Sequence, residues 1–292
     1  MRFSYCVDSE YKPLRSVLLH KPAPEVGDIA DPKEALHIRK IDYAIMEEEY
    51  RQIVNVYRKF KIKVHLITNC RKNNNNGIFL QNLMFVRDLF FMTPRGAIIS
   101  RMSSGVRKEE AGYAEKAIRG IGINIRKVIE GRGTFEGADA LWVNNRLILI
   151  GVGKRTNAEG FRQVKEELKL DGVLCIRVPA PEDTLHLLGA LQLVDSNLAL
   201  VRADTVSSEA TALLRKNKIK VISIRENAEL KKKHAMNFLT IAPGKIIMPA
   251  DCPRTKRIYE KSGIKIAAEV SITQLANAAG GLACATGILA RA

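Results

Sequence analysis

The sequence predicts an α/β protein in which five strand-strand-helix-strand (ββαβ) units close into a five-bladed propeller around a pseudo-fivefold axis. Three observations predict it. Apolar runs flank short polar turns, as in β-hairpins, at regular places along the chain. After each comes a helix-period stretch, then a short strand introduced by a Gly- or Lys-rich turn. This unit, roughly 45 to 75 residues long, recurs five times. Sheets that each carry a helix outside lose their exposed edges by closing on one another. Residues 1–292 are therefore read as one catalytic-sized domain with an axial pocket, not two domains on a linker.

The elements follow in order. PLRSVLLHKP, residues 13–22, supplies one strand of a first unit whose partner must come from elsewhere in the chain. YAIMEEEYRQIVNVYRKF places apolar residues every three to four positions, as a one-sided amphipathic helix requires, and KIKVHLI follows as a strand. The low-complexity stretch CRKNNNNG, residues 70–77, is expected as a loop long enough to act as a lid. The second unit has the hairpin DLFFMTPRGAIIS turning at Pro94-Arg95, the helix EEAGYAEKAIRG and the strand GINIRKV. The third has ALWVNNRLILIG turning at Asn144-Asn145, then FRQVKEELKL and GVLCIRV. The fourth has LGALQLVDSNLALV turning at Asp195-Ser196, then SEATALLRKN and KIKVISI. The fifth has NFLTIAPGKIIMPA turning at Pro243-Gly244, then PRTKRIYEKSG and GIKIAAEV.

Composition sets limits on the function. With 46% hydrophobic residues and a mean hydropathy of -0.08, the chain has an ordinary water-soluble balance. No apolar run approaches the ~18 to 20 residues of a membrane span. The N-terminal stretch lacks the order of charge, apolar core and cleavage site of a signal peptide, so a cytoplasmic location is expected. Five cysteines, Cys6, Cys70, Cys175, Cys252 and Cys284, are dispersed without a CxxC pair, which argues against a disulfide framework and a zinc site. The net charge of +16 raises nucleic-acid binding. Lys and Arg are nevertheless spread along the chain, often beside acids, and aromatics make up only 6%. A solvated basic surface is the simpler account.

Polar residues intrude on apolar sequence near the hairpins. NLMFVRDLFF holds Asn82, Arg87 and Asp88, FEGAD holds Glu136 and Asp139, TLHLLG holds His186, and GGLACATG holds Cys284. Each has an ordinary alternative, as core residue or structural ion pair. Together, a thiol, an imidazole and carboxylates at matching repeat positions make a poor core, because unpaired buried charges cost several kcal/mol each. Their chemistry fits a cationic substrate. Carboxylates take paired hydrogen bonds from a guanidinium. A thiolate beside a bound cation and a His is activated for attack on the guanidinium carbon. His186 can then protonate the leaving amine and deprotonate a water, so the rate should follow the pH of a thiol and an imidazole.

These residues resemble the guanidino-group-modifying enzymes: arginine deiminases, dimethylargininases and amidinotransferases, which share the pentein fold. The resemblance runs from PLRSVLLHKP through NLMFVRD, ISRM, FEGAD, GVGKRTN and LHL to the C-terminal Cys. It implies Cys284 as nucleophile, His186 as general acid and base, and Asp88 and Glu136 as the guanidinium's partners, with Glu136 also orienting His186. The deiminase pattern N-x-x-F-x-R-D is matched by Asn82, Phe85, Arg87 and Asp88. The resemblance further implies that Asn82, Arg101 and Arg155 hold the amino-acid end of the substrate, and Asp139 is counted with Phe85 among the substrate-binding residues. GVGKRT is no phosphate loop, since Ile148 stands at its first Gly position and Arg155 where Ser or Thr belongs.

Two positions bear on the substrate. Deiminases and amidinotransferases usually carry H-x-D, but Leu188 stands at that Asp here; dimethylargininases also lack it, which keeps substituted guanidines open as substrates. Relatives that take arginine through to ornithine tend to carry Asn at Asp88, which favours a citrulline product here. The expected activity is hydrolysis of the guanidinium of L-arginine or a close relative to citrulline plus ammonia, through a Cys284 thiouronium. Amidino transfer and dimethylarginine hydrolysis use the same intermediate and stay open, and a non-catalytic basic nucleic-acid-binding module is the alternative outside this class. No cofactor or metal is implied. The expected partner is a small-molecule guanidine; nucleic acid and membrane are not expected, and homo-oligomerisation is left open.

Overall fold

A computed structural model describes residues 5–68 and 80–292. The Asn-rich stretch expected as a loop lies outside the described residues. Within them the chain forms five three-stranded sheets, each an antiparallel pair extended by a parallel third strand.

The second to fifth blades follow the chain. They comprise β3 (Phe90–Thr93), β4 (Gly96–Ile99) and β5 (Ile125–Val128), then β6 (Ala140–Asn144), β7 (Leu147–Val152) and β8 (Leu174–Pro179). Next come β9 (Leu191–Asp195), β10 (Leu198–Arg202) and β11 (Lys220–Ile224), then β12 (Leu239–Ala242), β13 (Lys245–Pro249) and β14 (Lys265–Val270). The first blade joins both ends of the chain. β1 (Leu14–Leu19) runs antiparallel to β15 (Gly287–Arg291) and parallel to β2 (Lys63–Leu66). The partner that PLRSVLLHKP lacked locally is thus the C-terminal strand, with Val17 opposite Ile288.

Each parallel strand is reached through an outer helix: α1 (Tyr43–Lys59), α2 (Glu110–Gly120), α3 (Ala158–Lys169), α4 (Ser208–Lys216) and, after the short α5 (Ala228–Lys233), α6 (Pro253–Lys261). Their starts follow local chemistry. The side chains of Asp42, Asn157 and Ser207 accept hydrogen bonds from Ile45, Gly160 and Ala210 N–H, and α6 begins on Pro253. Their ends explain the Gly- and Lys-rich turns of the sequence. All five place a left-handed residue just past the helix: Lys61, Gly122, Gly172, Lys218 and Gly263, with φ between 57° and 83°. Glycine takes that conformation freely; the two lysines take it at a cost.

Neighbouring blades meet at their first strands or at the turns before them, and the fifth blade's β12 touches β1, so the ring closes. Trp142 stacks on Phe91 and donates from Nε1 to Met92 O, joining the second and third blades. Thr240 donates to Leu193 O, joining the fourth and fifth, and Arg291 donates to Thr240 O across the closure. Among the described residues, the core between blades and beneath the helices falls into three apolar clusters, the largest holding Trp142, Tyr57 and Phe90, a second Leu191 and Leu193, and a third Phe238 and Tyr259. Two hairpin turns sit one residue later than expected, at 145–146 and 196–197, because β6 and β9 each run on through Asn144 and Asp195 beside irregular pairings. No described helix is long and apolar enough to cross a membrane.

Candidate active site

Every blade begins with a tight turn immediately before the first strand of its hairpin, and these turns supply the polar residues. Val86–Asp88 precedes β3, Gly137–Asp139 precedes β6 and Leu187–Gly189 precedes β9. The four-residue helix α8 (Leu282–Ala285) precedes β15, so Cys284 belongs by topology to the first blade. The turns lie against one another: that of Asp88 touches both α8 and the Gly137 turn, which in turn touches that of Leu187. Gly137 permits this approach, since a Cβ there would stand 2.2 Å from Phe90 O.

Glu136 and His186 form the middle of the cluster. His186 Nε2 lies 2.7 Å from Glu136 Oε2, and His186 Nδ1 lies 3.7 Å from Asp88 Oδ1. Burial alone would push the imidazole pKa down, but the charges of Asp88, Asp139 and Glu136 and the Glu136 hydrogen bond prevail and raise it to about 9. His186 is therefore an imidazolium at neutral pH and donates to Glu136. Burial likewise disfavours the Glu136 carboxylate, yet His186, Arg107 and Arg155 hold it well below the ordinary range. Its other oxygen, Oε1, accepts from Ser103 N and Oγ at 3.1 and 2.9 Å, with Arg155 Nη1 at 3.7 Å.

Asp88 is held from the side by a residue that the sequence did not single out. Arg107 Nη1 donates to Asp88 Oδ2 at 2.6 Å, its Nε donates to Glu110 Oε2, and its other amino group faces the carbonyls of Asn82 and Phe85. Arg87, the sequence neighbour weighed as the ion-pair partner of Asp88, instead turns to Glu10. Asp88 Oδ1 remains buried with no hydrogen-bond partner. It is the group in this cluster placed to accept from a bound cation.

Cys284 is partly exposed, and its charge couples to Asp88. Burial first, and Asp88 second, push the thiol pKa up to about 11, against the pull of Asn237, the Gly281 backbone and Arg107. Without a bound cation it is a thiol. Asn237, also absent from the sequence reading, donates from Nδ2 to Sγ at 3.0 Å.

The other expected residues divide. Arg155 reaches the cluster beside Glu136. Arg101 is exposed, bridges Phe135 through its backbone and donates to Gly133 O. Phe85 is buried, its ring under Gly280, where a Cβ would stand 2.1 Å away. Asn82 is turned inward, with Nδ2 on Ala35 O and Oδ1 on His37 Nε2, so its amide is spent on the 32–38 segment. Asp139 departs from its expected place among the substrate-binding residues. It is fully buried, one oxygen accepting from Thr156 Oγ1 at 2.7 Å and the other from Leu187 N at 3.1 Å. It ties the third blade's entry to that of the fourth behind the site, and burial lifts its pKa to about 6.

Asp88, Glu136 and His186 bring potential metal-ligating atoms within 4.8 Å of one another. Glu136 and His186 are nevertheless bonded to each other, and Asp88 to Arg107. Such a set suits a cation that donates hydrogen bonds better than one that takes lone pairs.

Comparison with known proteins bears on the family and the fold. The profile of the family described as Arginine deiminase matches residues 61–214 and 201–291. An N(G),N(G)-dimethylarginine dimethylaminohydrolase of Pseudomonas aeruginosa is 27% identical over 256 residues, which is 88% of this chain and 93% of that protein. The solved structure of DDAH from the same organism, complexed with citrulline, superposes with a TM-score of 0.78 at 24% identity, covering 94% of this chain and 99% of that one. An amidinotransferase from Microseira wollei superposes at 0.75 with 15% identity, over 99% and 98% of the two chains. These are pentein-fold proteins, and the five ββαβ blades described above are that fold.

Proposed function

We infer, for a chain that belongs to the arginine deiminase family, that it hydrolyses the guanidinium of L-arginine or a close relative to citrulline and ammonia as one catalytic domain. The observation that carries this reading is the unpartnered Asp88 Oδ1 among Cys284, His186 and Glu136. A guanidinium is planar and rich in N–H donors, and its hydrogen bonds to carboxylates are charge-assisted. Asp88 and Glu136 are assigned to it, and Arg155 and Arg101 to the substrate carboxylate.

The chemistry follows from the charges. A cation settled beside Cys284 offsets the burial and the Asp88 charge that keep its thiol protonated, so substrate binding favours the thiolate. The thiolate attacks the guanidinium carbon, forming a C–S bond and a tetrahedral adduct. His186, which holds its proton to about pH 9, passes it to one nitrogen, and the C–N bond breaks to release ammonia. The resulting Cys284 thiouronium is attacked by a water whose proton returns to His186. Collapse of the second adduct breaks the C–S bond and yields citrulline and the free sulfur. Buried Glu136 keeps the imidazole oriented through both transfers. A reducing, cytoplasmic setting suits a free nucleophilic thiol.

The test is incubation with L-arginine and an assay for citrulline and ammonia. The reading requires turnover by the wild type and none by Cys284→Ser; citrulline from the serine variant at the wild-type rate would sink it. A second reading is supported by Leu188, which is buried among Leu187, Ala138 and Leu141 where an H-x-D Asp would stand. An apolar side chain there suits an alkylated guanidine, as in dimethylarginine. Release of dimethylamine in place of ammonia separates the two. A new guanidino compound formed when an amine acceptor is added, without citrulline, would identify amidino transfer.

A further inference from the structure

The four polar groups found from sequence come from four blade entries: Cys284 from the first, Asp88 from the second, Glu136 from the third and His186 from the fourth. The fifth blade has an entry too. Asn237 lies two residues before β12, just as Asp88 lies two before β3, and only 5% of it is exposed. Both ends of its amide bond the Cys284 segment. Oδ1 accepts from Ala283 N at 2.7 Å and from Cys284 N at 3.2 Å, and Nδ2 donates to Cys284 Sγ at 3.0 Å.

This arrangement has a fixed sense. Both backbone N–H groups must find an acceptor, so they fix which end of the amide is oxygen and leave the NH2 facing sulfur. The close approach depends on Gly281, where a Cβ would stand 2.7 Å from Asn237 Cγ. An N–H pointed at a sulfur strengthens when that sulfur becomes an anion.

We propose that Asn237 is a positioning residue for Cys284: its oxygen fixes the α8 entry, and its NH2 aims the sulfur and stabilises it as the thiolate. The inference deepens the proposed guanidine hydrolysis and rests on it for the turnover arm alone.

The test uses Asn237→Asp in the full chain. The Asp side chain keeps the shape and an oxygen for the two backbone donors, but removes the donor to sulfur. Two readouts are taken. The rate of Cys284 alkylation by iodoacetamide against pH reports the thiol without any substrate, with Cys284→Ser as the blank for the other cysteines. The steady-state constants on the guanidine substrate report the reaction. The expected result is an alkylation profile displaced to higher pH and a kcat lower by about 10- to 100-fold with KM little changed, the size expected for one lost charge-assisted hydrogen bond. An unchanged profile and an unchanged kcat in a folded Asn237→Asp protein would overturn the proposal, because a purely structural Asn needs only its oxygen.

The arms separate the two readings. A displaced alkylation profile in a protein that turns over no guanidine upholds Asn237 and removes the hydrolase. Turnover with an undisplaced profile does the reverse. If Asn237→Asp does not fold, the wild type supplies the answer: the Asn237 side-chain NH2 resonances must titrate with the Cys284 thiol and lose that step in Cys284→Ser. Resonances flat across the thiol titration overturn the proposal.

Discussion

His186 is buried, yet it keeps its proton to about pH 9 because three carboxylates surround it. That has a stability consequence with a definite sign. Between the ordinary His value near 6.5 and the folded value, the native state binds a proton that the unfolded chain has lost. The contribution is complete below about pH 6.5 and disappears as the pH rises through about 9; it is on the order of 3 kcal/mol. Urea unfolding of wild type and His186→Asn across that range should show the gap between them shrinking with rising pH. A gap that stays constant would contradict the charged imidazole. Arg107 and Arg155 make a second contrast. Arg107 is buried between Asp88 and Glu110, so Arg107→Met leaves two buried acids unpaired and should cost about 3 to 5 kcal/mol. Arg155 is more open and 3.7 Å from Glu136, so Arg155→Met should cost under about 1 kcal/mol while raising KM. Denaturant melts and steady-state kinetics on both variants check the pair.

At the scale of the element, the helix-to-strand turns and the blade entries follow different rules. The five outer helices that lead to the parallel strands end on a left-handed residue, and at Lys61 and Lys218 that residue carries an exposed side chain with nothing to gain from the conformation. Lys61→Gly and Lys218→Gly should each stabilise the protein by about 1 kcal/mol, read as a higher urea midpoint at unchanged slope. The blade entries tolerate no such freedom. Gly137→Ala drives a methyl into Phe90 O and Arg87 O and should cost about 1 to 3 kcal/mol, with loss of turnover, because it separates the turns bearing Asp88 and Glu136. A variant of wild-type stability would show that the two turns are not in the contact described.

For the whole molecule, closure is the property that matters. The first blade is built from opposite ends of the chain, Leu14–Leu19 against Gly287–Arg291, and the Cys284 segment leads directly into that closing strand. Tyr57 on α1 shares a 2.6 Å hydrogen bond with Thr286, so the outer helix of the first blade also grips the return of the chain. Deleting residues 287–292 exposes the edge of β1 and removes the last core positions, Ile288, Leu289 and Ala290. Such a chain should show no cooperative thermal transition in calorimetry, whereas removal of Ala292 alone, which loses one backbone hydrogen bond to Pro13 O, should leave a transition in place. The formal charge of +16 is the excess of 47 basic over 31 acidic residues; individual basic residues are paired along helices, as in Arg162 with Glu159 and Glu166.

The sequence by itself determined the five units, their helices and their strands, because hairpin alternation, helical periodicity and turn residues are local signals that survive without neighbours. Asp88, Glu136, His186 and Cys284 were legible for a related reason: charge or a thiol inside an apolar run is conspicuous. Tertiary structure alone decided what those residues meet. Arg107 looked like one more basic residue among 47 until the ring brought it under Asp88. Asn237 looked like the start of a hairpin until Cys284 returned to it from 47 positions along the chain. Asp139 stood beside Glu136 in sequence, but the turn between them sends one side chain into the cluster and the other behind it. Such pairings depend on loops closing over long separations, and no local pattern encodes which buried group will stand opposite which.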